Sequence, residues 1–147
     1  MNNYLKHYIG GEWVASEGGS TKIVINPATE EPVSEVVMGT AADVDKAVKV
    51  AREAFKSFSQ TTREERIALL KRISEEYGKR MGGIAQAITE EMGCPISTSS
   101  TAQAGSGMGH IGSTIAALEA FEFMETTGKN FVQYEPIGVV ALITPWN

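Results

Sequence analysis

Few side chains in this 147-residue sequence are of the types that usually carry catalysis. The two histidines, His7 and His110, lie far apart, and no Cys, His or Asp residues recur at the spacing of a zinc site, so we predict no metal centre. The strongest candidate is Asn147, whose side-chain amide carries two N–H donors. At the end of a strand, that amide can aim a donor at an oxygen that becomes negative during a reaction.

Cys94 is the only thiol and therefore invites the role of nucleophile. A nucleophilic cysteine needs a depressed pKa, which a histidine partner or a helix N-terminus usually provides. Cys94 instead follows a predicted helix C-terminus, where the helix dipole disfavours a thiolate. We therefore interpret Cys94 as incidental to catalysis.

Residues Gly107–Gly112 match the dinucleotide-binding pattern G-x-G-x-x-G letter for letter. That motif works only when a strand precedes it and a helix starts within it, so that a phosphate meets the helix N-terminus. Here the preceding residues are polar, and helical spacing is already under way. A dinucleotide site at this position is the less favoured interpretation. His110, inside the motif, is interpreted as a packed or solvated helix residue, and His7 is interpreted as a surface residue near a mobile terminus.

The element that would position Asn147 is a strand predicted just before it. Val139 to Ile143 are five consecutive apolar residues, which is typical of a strand buried on both faces in a parallel sheet. Pro145 then ends the strand. Ligands of open α/β sheets collect beyond the carboxyl ends of strands, which is where Trp146 and Asn147 would lie.

The first forty residues are predicted to form short strands. Gly10-Gly11 predicts a two-residue hairpin turn between Tyr8-Ile9 and Trp13-Val14. Trp13 is interpreted as a core anchor. Further strands are predicted at 22–25, 33–37 and 130–134.

Helices are predicted for most of the middle of the chain. Capping boxes at Thr40 and Thr62 begin two amphipathic helices, and we expect the second to end at Gly82-Gly83. A shorter helix follows from 84 to 92 and ends at Gly93. A fourth is predicted from 97 to 124, where several glycines weaken it. The charges of the second helix, Arg63 and Arg66 among them, are interpreted mainly as a solvated face.

Composition limits the class of protein. The hydrophobic fraction of 42% and charged fraction of 21% are ordinary for a soluble globular protein. The net charge of −5 argues against a nucleic-acid partner, because phosphate binding needs clustered Lys and Arg. No secretory signal or membrane-spanning run is visible, and we expect a cytoplasmic protein.

Four stretches of the sequence resemble one enzyme family. The segment from Glu135 to Asn147 is similar to the signature that leads into the catalytic half of the NAD(P)-dependent aldehyde dehydrogenases. The other three stretches are Tyr8–Val14, Asn26–Glu31 and Glu90–Pro95. The resemblance covers essentially the whole chain, in the right order, but only the N-terminal portion of such an enzyme.

The resemblance implies an α/β fold comprising a β-hairpin, helices and the start of a Rossmann-like parallel sheet. Residues 1–118 would be the N-terminal part of the cofactor-binding domain, 119–135 the oligomerisation strand segment, and 136–147 the first strand of the cofactor-binding sheet. Asn147 would stabilise the oxyanion formed when a cysteine, absent here, attacks the aldehyde. The residues implied to contact NAD or NADP are Ile143, Thr144, Pro145, Trp146 and Asn147. A small-molecule aldehyde substrate and a homo-oligomer, dimer or tetramer, are also implied.

Several alternatives stay open at this stage. The chain could instead be a non-catalytic module that binds full-length subunits and modulates their assembly. The residues do not distinguish NAD from NADP, nor hydrolytic from coenzyme-A-acylating chemistry, nor do they identify the aldehyde. Because the family's nucleophilic cysteine and general-base glutamate lie beyond residue 147, the 147-residue polypeptide is expected to be inactive alone.

Overall fold

The structure, a computed structural model, describes residues 2–144 and consists of short strands at both ends with helices between them. The strands are β1 (Asn2–Tyr4), β2 (Lys6–Ile9), β3 (Glu12–Ala15), β4 (Thr21–Ile25), β5 (Pro32–Val37), β6 (Met124–Thr127) and β7 (Asn130–Gln133). The helices are α1 (Ala41–Phe58), α2 (Arg63–Met92), α3 (Ile96–Thr98) and α4 (Ala104–Ala120), with a π-helical turn at Ser99–Gln103.

The predicted hairpin is confirmed as β2 and β3, with Tyr8 opposite Trp13. Gly10 and Gly11 have φ values of +67° and +85°, which residues with a Cβ rarely adopt. The prediction that Trp13 is a core anchor is wrong, because 64% of it is exposed. Its ring instead contacts that of Tyr8, with centroids 5.2 Å apart.

The second sheet has the order β1-β5-β4. β1 is parallel to β5, and β4 is antiparallel to β5 with a register irregularity between Val24 and Ile25. The predicted strands at 22–25 and 33–37 are thus confirmed within one residue at each end. Ser34 in β5 is 2% exposed, so the centre of this small sheet is well covered.

Local sequence signals set the start of both long helices. Thr40 accepts a hydrogen bond from the Asp43 N–H, and Thr62 accepts one from the Glu65 N–H, with the reciprocal bond present in each case. The predicted end of the second helix at Gly82-Gly83 is wrong. α2 continues to Met92, because a glycine within a helix costs only about 1 kcal/mol and packing against α4 holds the helix. The helix ends at Gly93, whose φ is +73°. This end agrees with the prediction that a helix stops at that glycine.

The predicted helix from 97 to 124 is partly wrong. The π-helical turn interrupts it after α3, and α4 ends at Ala120. The Ala104 N–H donates to the Ser99 carbonyl five residues earlier, and the Ala104 carbonyl accepts from the Tyr77 hydroxyl at 2.9 Å. Ser99, fully buried, accepts from Thr89 at 2.8 Å. Tertiary contacts to α2 therefore shape this turn.

The apolar core within residues 2–144 is small, since Ala85 and Ala104 are the buried hydrophobic residues there. Val44 and Phe58, on the predicted apolar face of α1, are 57% and 51% exposed. The accessible surface is 10824 Å², whereas a folded monomer of this mass is expected to expose about 7,300 Å². Much apolar surface is thus uncovered. Within residues 2–144, no helix is both long enough and apolar enough to cross a bilayer.

A polar cluster holds the β2–β3 hairpin against the start of α1. Asp43, 5% exposed, accepts hydrogen bonds from the Ser16 hydroxyl at 2.5 Å, the Glu17 N–H at 3.0 Å and the Thr40 N–H at 2.9 Å. His7 lies 3.6 Å from the same carboxylate, with its side chain 25% exposed, so interpreting His7 as a surface residue at a mobile terminus was wrong. The hydrogen bonds, led by that from Ser16, lower the pKa of Asp43 well below its usual range.

We expect this cluster to make the chain lose stability at low pH. The ionised form of Asp43 is favoured in the folded state, so its contribution is fully present above the unfolded pKa of about 3.9 and is lost as pH falls below it. Asp43→Asn should therefore be less stable at pH 7 and show a flatter stability profile between pH 5 and pH 2. Urea denaturation at several pH values measures this. Asp45→Asn, on the exposed side of α1, is the matched control, and an equal change in both variants would contradict the assignment.

Candidate functional site

Two of the predicted site residues, Ile143 and Thr144, lie in the segment from Glu135 to Thr144, which has no regular secondary structure in the described chain. The prediction of a buried strand at 139–143 is not confirmed. A strand needs a neighbour to satisfy its backbone N–H and C=O groups, and residues 2–144 place none beside it. The apolar run is therefore present without the sheet that would bury it.

The side chains of this segment are largely exposed. Ile137 is 91% exposed, Leu142 86% and Ile143 92%, whereas Val139 is 40% exposed. Gly138 has φ +111°, a value that favours glycine, and it sets the direction in which the apolar run leaves the preceding hairpin. An apolar run this exposed is typical of a surface that another polypeptide or ligand covers.

Three of the five predicted cofactor-contact residues, Pro145, Trp146 and Asn147, lie outside the described residues. Ile143 and Thr144 are the last two described residues, and both are exposed. Within residues 2–144, the hydrogen bonds include none that join residues 137–144 to another element.

An aromatic cluster anchors the start of the segment. The ring of Phe121 lies 4.9 Å from that of Phe123 and 5.3 Å from that of Tyr134, measured between centroids. The Tyr134 N–H donates to the Phe123 carbonyl at 2.9 Å. Arg63 of α2 donates to the Phe121 carbonyl and lies over the Phe123 ring at 5.5 Å. These contacts attach the β6–β7 hairpin to the N-terminus of α2.

Tyr134 also makes a contact within the hairpin. Its hydroxyl donates to Glu125 Oε1 at 3.1 Å, and this hydrogen bond, together with the negative charge of Glu125, raises the pKa of Tyr134. Tyr134 is therefore held protonated, as a donor that links β6 to the segment following β7.

The other candidate residues do not join this segment into one site. Gly107–Gly112 lie inside α4, and the π-helical turn rather than a strand precedes them. This arrangement agrees with the interpretation that a dinucleotide site at Gly107–Gly112 is less favoured. His110 is exposed on α4, and Cys94 follows the C-terminus of α2. Among the described residues, no three potential metal-ligating side chains come together.

Sequence reasoning missed the roles of Arg63 and Arg66. Interpreting them as part of a solvated face was wrong, because both are partly buried and donate hydrogen bonds to the chain around them. Arg66 donates to Thr61 Oγ1 at 2.9 Å and to the Ser59 carbonyl at 3.2 Å. Their spacing of three residues, which places them on one side of α2, was the available signal.

Comparison with protein families and curated proteins gives one consistent result. The model of the aldehyde dehydrogenase family matches residues 13–147. A Staphylococcus aureus protein of strain bovine RF122 / ET3-1, provisionally described as an aldehyde dehydrogenase, is 48% identical over all 147 residues. Its counterpart in strain USA300 is 47% identical over the same length. The chain spans 31% of the length of each of these relatives.

Solved structures give the same result for the fold. An aldehyde dehydrogenase of Bartonella henselae superimposes with a TM-score of 0.85 at 36% identity, over 88% of this chain and 27% of that one. A mutant of Pseudomonas syringae aldehyde dehydrogenase C, in complex with NAD+ and octanal, superimposes with a TM-score of 0.87 at 39% identity. The match covers 90% of this chain and 27% of that one. A Mycobacterium tuberculosis aldehyde dehydrogenase in complex with NAD+ superimposes with a TM-score of 0.84 at 30% identity. The match covers 92% of this chain and 29% of that one. The expected α/β fold, the N-terminal portion of these enzymes, is thereby confirmed.

Proposed function

This chain belongs to the aldehyde dehydrogenase family, and from that membership we propose that it forms the first part of an enzyme that oxidises an aldehyde to a carboxylic acid with NAD or NADP as hydride acceptor. The observation that carries the proposal is the family match over residues 13–147, which includes the segment ending in Asn147. The similarity to structures solved with NAD+, one of them also with octanal, supports the cofactor and the substrate class.

The contribution of this chain to the reaction is to hold and polarise the aldehyde. Asn147 donates a side-chain N–H to the aldehyde oxygen as it gains negative charge, which is an interaction strongest in the transition state. Pro145 restricts the backbone two residues before Asn147, and this reduces the number of directions in which the amide can point. Ile143, Thr144 and Trp146 supply the surface beside the nicotinamide, and the bound nicotinamide supplies the hydride acceptor.

The finer organisation belongs to the same proposal. We assign residues 1–118 to the cofactor-binding domain, 119–135 to the oligomerisation segment, and 136–147 to the first strand of the cofactor-binding sheet. The exposed β6–β7 hairpin and the excess accessible surface support a homo-oligomer. A soluble enzyme acting in the cytoplasm is consistent with the lone cysteine, because reduced thiols persist there.

A chimera tests the proposed function directly. Residues 1–147 of this chain replace the matching segment of the Staphylococcus aureus relative, and aldehyde-dependent formation of NADH or NADPH is followed by absorbance. We expect the chimera to be active and the separate 147-residue chain to show no rate above background, because its only cysteine, Cys94, follows the C-terminus of a helix. Activity of the 147-residue chain alone would contradict this division of roles, and a folded but inactive chimera would contradict the proposed function.

The uncovered apolar surface also favours a second candidate, a non-catalytic module that binds full-length subunits. This function needs the exposed hairpin and the apolar segment but not Asn147. It is favoured instead if the chimera is folded and inactive while the 147-residue chain co-elutes with the intact relative in size-exclusion chromatography.

A further inference from the structure

A cavity of about 340 Å³ lies where the N-terminus of α2 meets the β6–β7 hairpin. Its lining includes Arg63 and Arg66 from α2, Phe123 from just before β6, and Tyr134, Glu135 and Pro136 from just after β7. It is separate from residues 143–147, to which the proposed reaction is assigned. Its volume is at the lower end of the range for small-molecule sites.

One side of the cavity carries two positive charges that have no carboxylate partner among residues 2–144. In the part of the chain that the structure describes, neither Arg63 nor Arg66 forms an ion pair, whereas Arg80, further along α2, lies 3.5 Å from Glu76. Both arginines are partly buried, and a charge removed from water is costly unless it is paired. Arg63 is also the first residue of a 30-residue helix, where the helix dipole favours a negative charge.

Each of the two guanidinium groups is held by hydrogen bonds to the chain and retains further N–H donors. Arg66 uses its Nε–H and one terminal N–H for the loop that precedes α2, and Arg63 uses one terminal N–H for the Phe121 carbonyl. Each guanidinium has five N–H donors in a fixed plane. The remaining donors suit an acceptor with two oxygen atoms, which a guanidinium binds in bidentate fashion.

The opposite side of the cavity is apolar and aromatic. Phe123 is partly buried beneath the Arg63 guanidinium, and Tyr134 is held against Phe121. The Tyr134 hydroxyl is already engaged with Glu125, so the ring rather than the hydroxyl is available. Among the described lining residues, Glu135 is the acidic one, and its carboxylate accepts a hydrogen bond from the Gln133 amide at 3.2 Å. Glu65 of α2 accepts a hydrogen bond from the Thr62 N–H. Both of these carboxylates are therefore occupied by donors other than Arg63 and Arg66.

We propose that this cavity is a binding site for a small carboxylate with a planar apolar body, separate from the aldehyde site. The carboxylate lies against Arg63 and Arg66, and the apolar body packs on Phe123 and Pro136. Phe123, Tyr134 and Glu135 belong to the proposed oligomerisation segment, so the cavity borders that segment. The proposal does not depend on Asn147, since none of the cavity residues belongs to the segment 143–147.

The test is a titration of the 147-residue chain with benzoate as the probe. Titration is followed by the NMR resonances of the Phe123 and Tyr134 rings, with benzyl alcohol and inorganic phosphate titrated in parallel. We expect saturable shifts with benzoate and weaker binding of both comparison compounds, because one lacks the charge and the other the apolar body. Arg66→Gln should weaken benzoate binding about tenfold or more, since it removes a charge-assisted donor.

Arg80→Gln is the matched control, because it makes the same change in charge on the exposed part of α2 and should leave binding unchanged. Phe123→Leu tests the apolar wall without altering charge, and a several-fold loss of benzoate affinity is expected. It also keeps the test informative if Arg66→Gln unfolds the loop before α2. The proposal is wrong if benzoate does not saturate, if phosphate binds equally well, or if Phe123→Leu has no effect.

Discussion

Replacing Asn147 by alanine in the chimera should lower kcat by about 10²–10³, the cost of losing one oxyanion donor. The physical reason is that the side-chain N–H of Asn147 strengthens its hydrogen bond as the aldehyde oxygen becomes negative, so its removal raises the barrier more than it weakens substrate binding. The measurement is the steady-state rate of NADH or NADPH formation over a range of aldehyde concentrations. The effect should appear in kcat and in kcat/KM alike, with KM changed little.

A matched variant separates this role from a general effect of losing an asparagine. Asn130 begins β7, is exposed, and is distant in sequence from the segment 143–147. Asn130→Ala should leave kcat within about twofold, because its exposed side chain lies outside the segment 143–147 to which the proposed reaction is assigned. If Asn147→Ala retained near-normal kcat with an intact fold, or if it raised KM alone, the assignment of Asn147 as the oxyanion donor would be wrong.

Two glycines of α4 should respond to the same substitution in opposite directions. A Cβ at position 107 would overlap the Tyr77 hydroxyl and ring, whereas one at position 109 has no atom within 4 Å. Tyr77 is held by its hydrogen bond to the Ala104 carbonyl and cannot move away without breaking it. Gly107→Ala should therefore destabilise the chain by about 1–3 kcal/mol, the usual cost of overpacking.

Gly109→Ala should instead stabilise the chain by up to about 1 kcal/mol, because alanine has the higher helix propensity and the site is open. Urea denaturation of both variants beside the unmodified chain measures the difference. Equal effects would show that α4 does not approach Tyr77 as closely as the structure places it. The pair also distinguishes a packing role for Gly107 from a nucleotide-binding one, since the packing role predicts the effect in the absence of any ligand.

Elements encoded by neighbouring residues were predicted well. The hairpin at Gly10-Gly11, the capping boxes at Thr40 and Thr62, and the left-handed end at Gly93 all appear where the sequence places them. Each depends on contacts within about four residues along the chain, so the sequence pattern and the physical interaction coincide.

Predictions that depended on distant contacts succeeded less often. The end expected at Gly82-Gly83 is overridden because α2 packs along α4, and Trp13 is exposed although its residue type favours burial. The apolar run at 139–143 has the composition of a buried strand, but strand formation requires a partner that the described residues do not supply. Asn147, for which a catalytic role is predicted, lies outside residues 2–144.

By itself, the sequence determined the family of this protein, the β2–β3 hairpin, the strands β4 and β5 and the starts of both long helices, because local hydrogen bonds and family motifs depend on adjacent residues. Only the tertiary structure decided which side chains meet. Arg63 and Arg66 belong with Phe123 and Tyr134, and Asp43 belongs with Ser16, because the chain returns to these places from 26 or more residues away. A contact between such distant residues depends on how the helices pack, and no spacing along the chain records that packing.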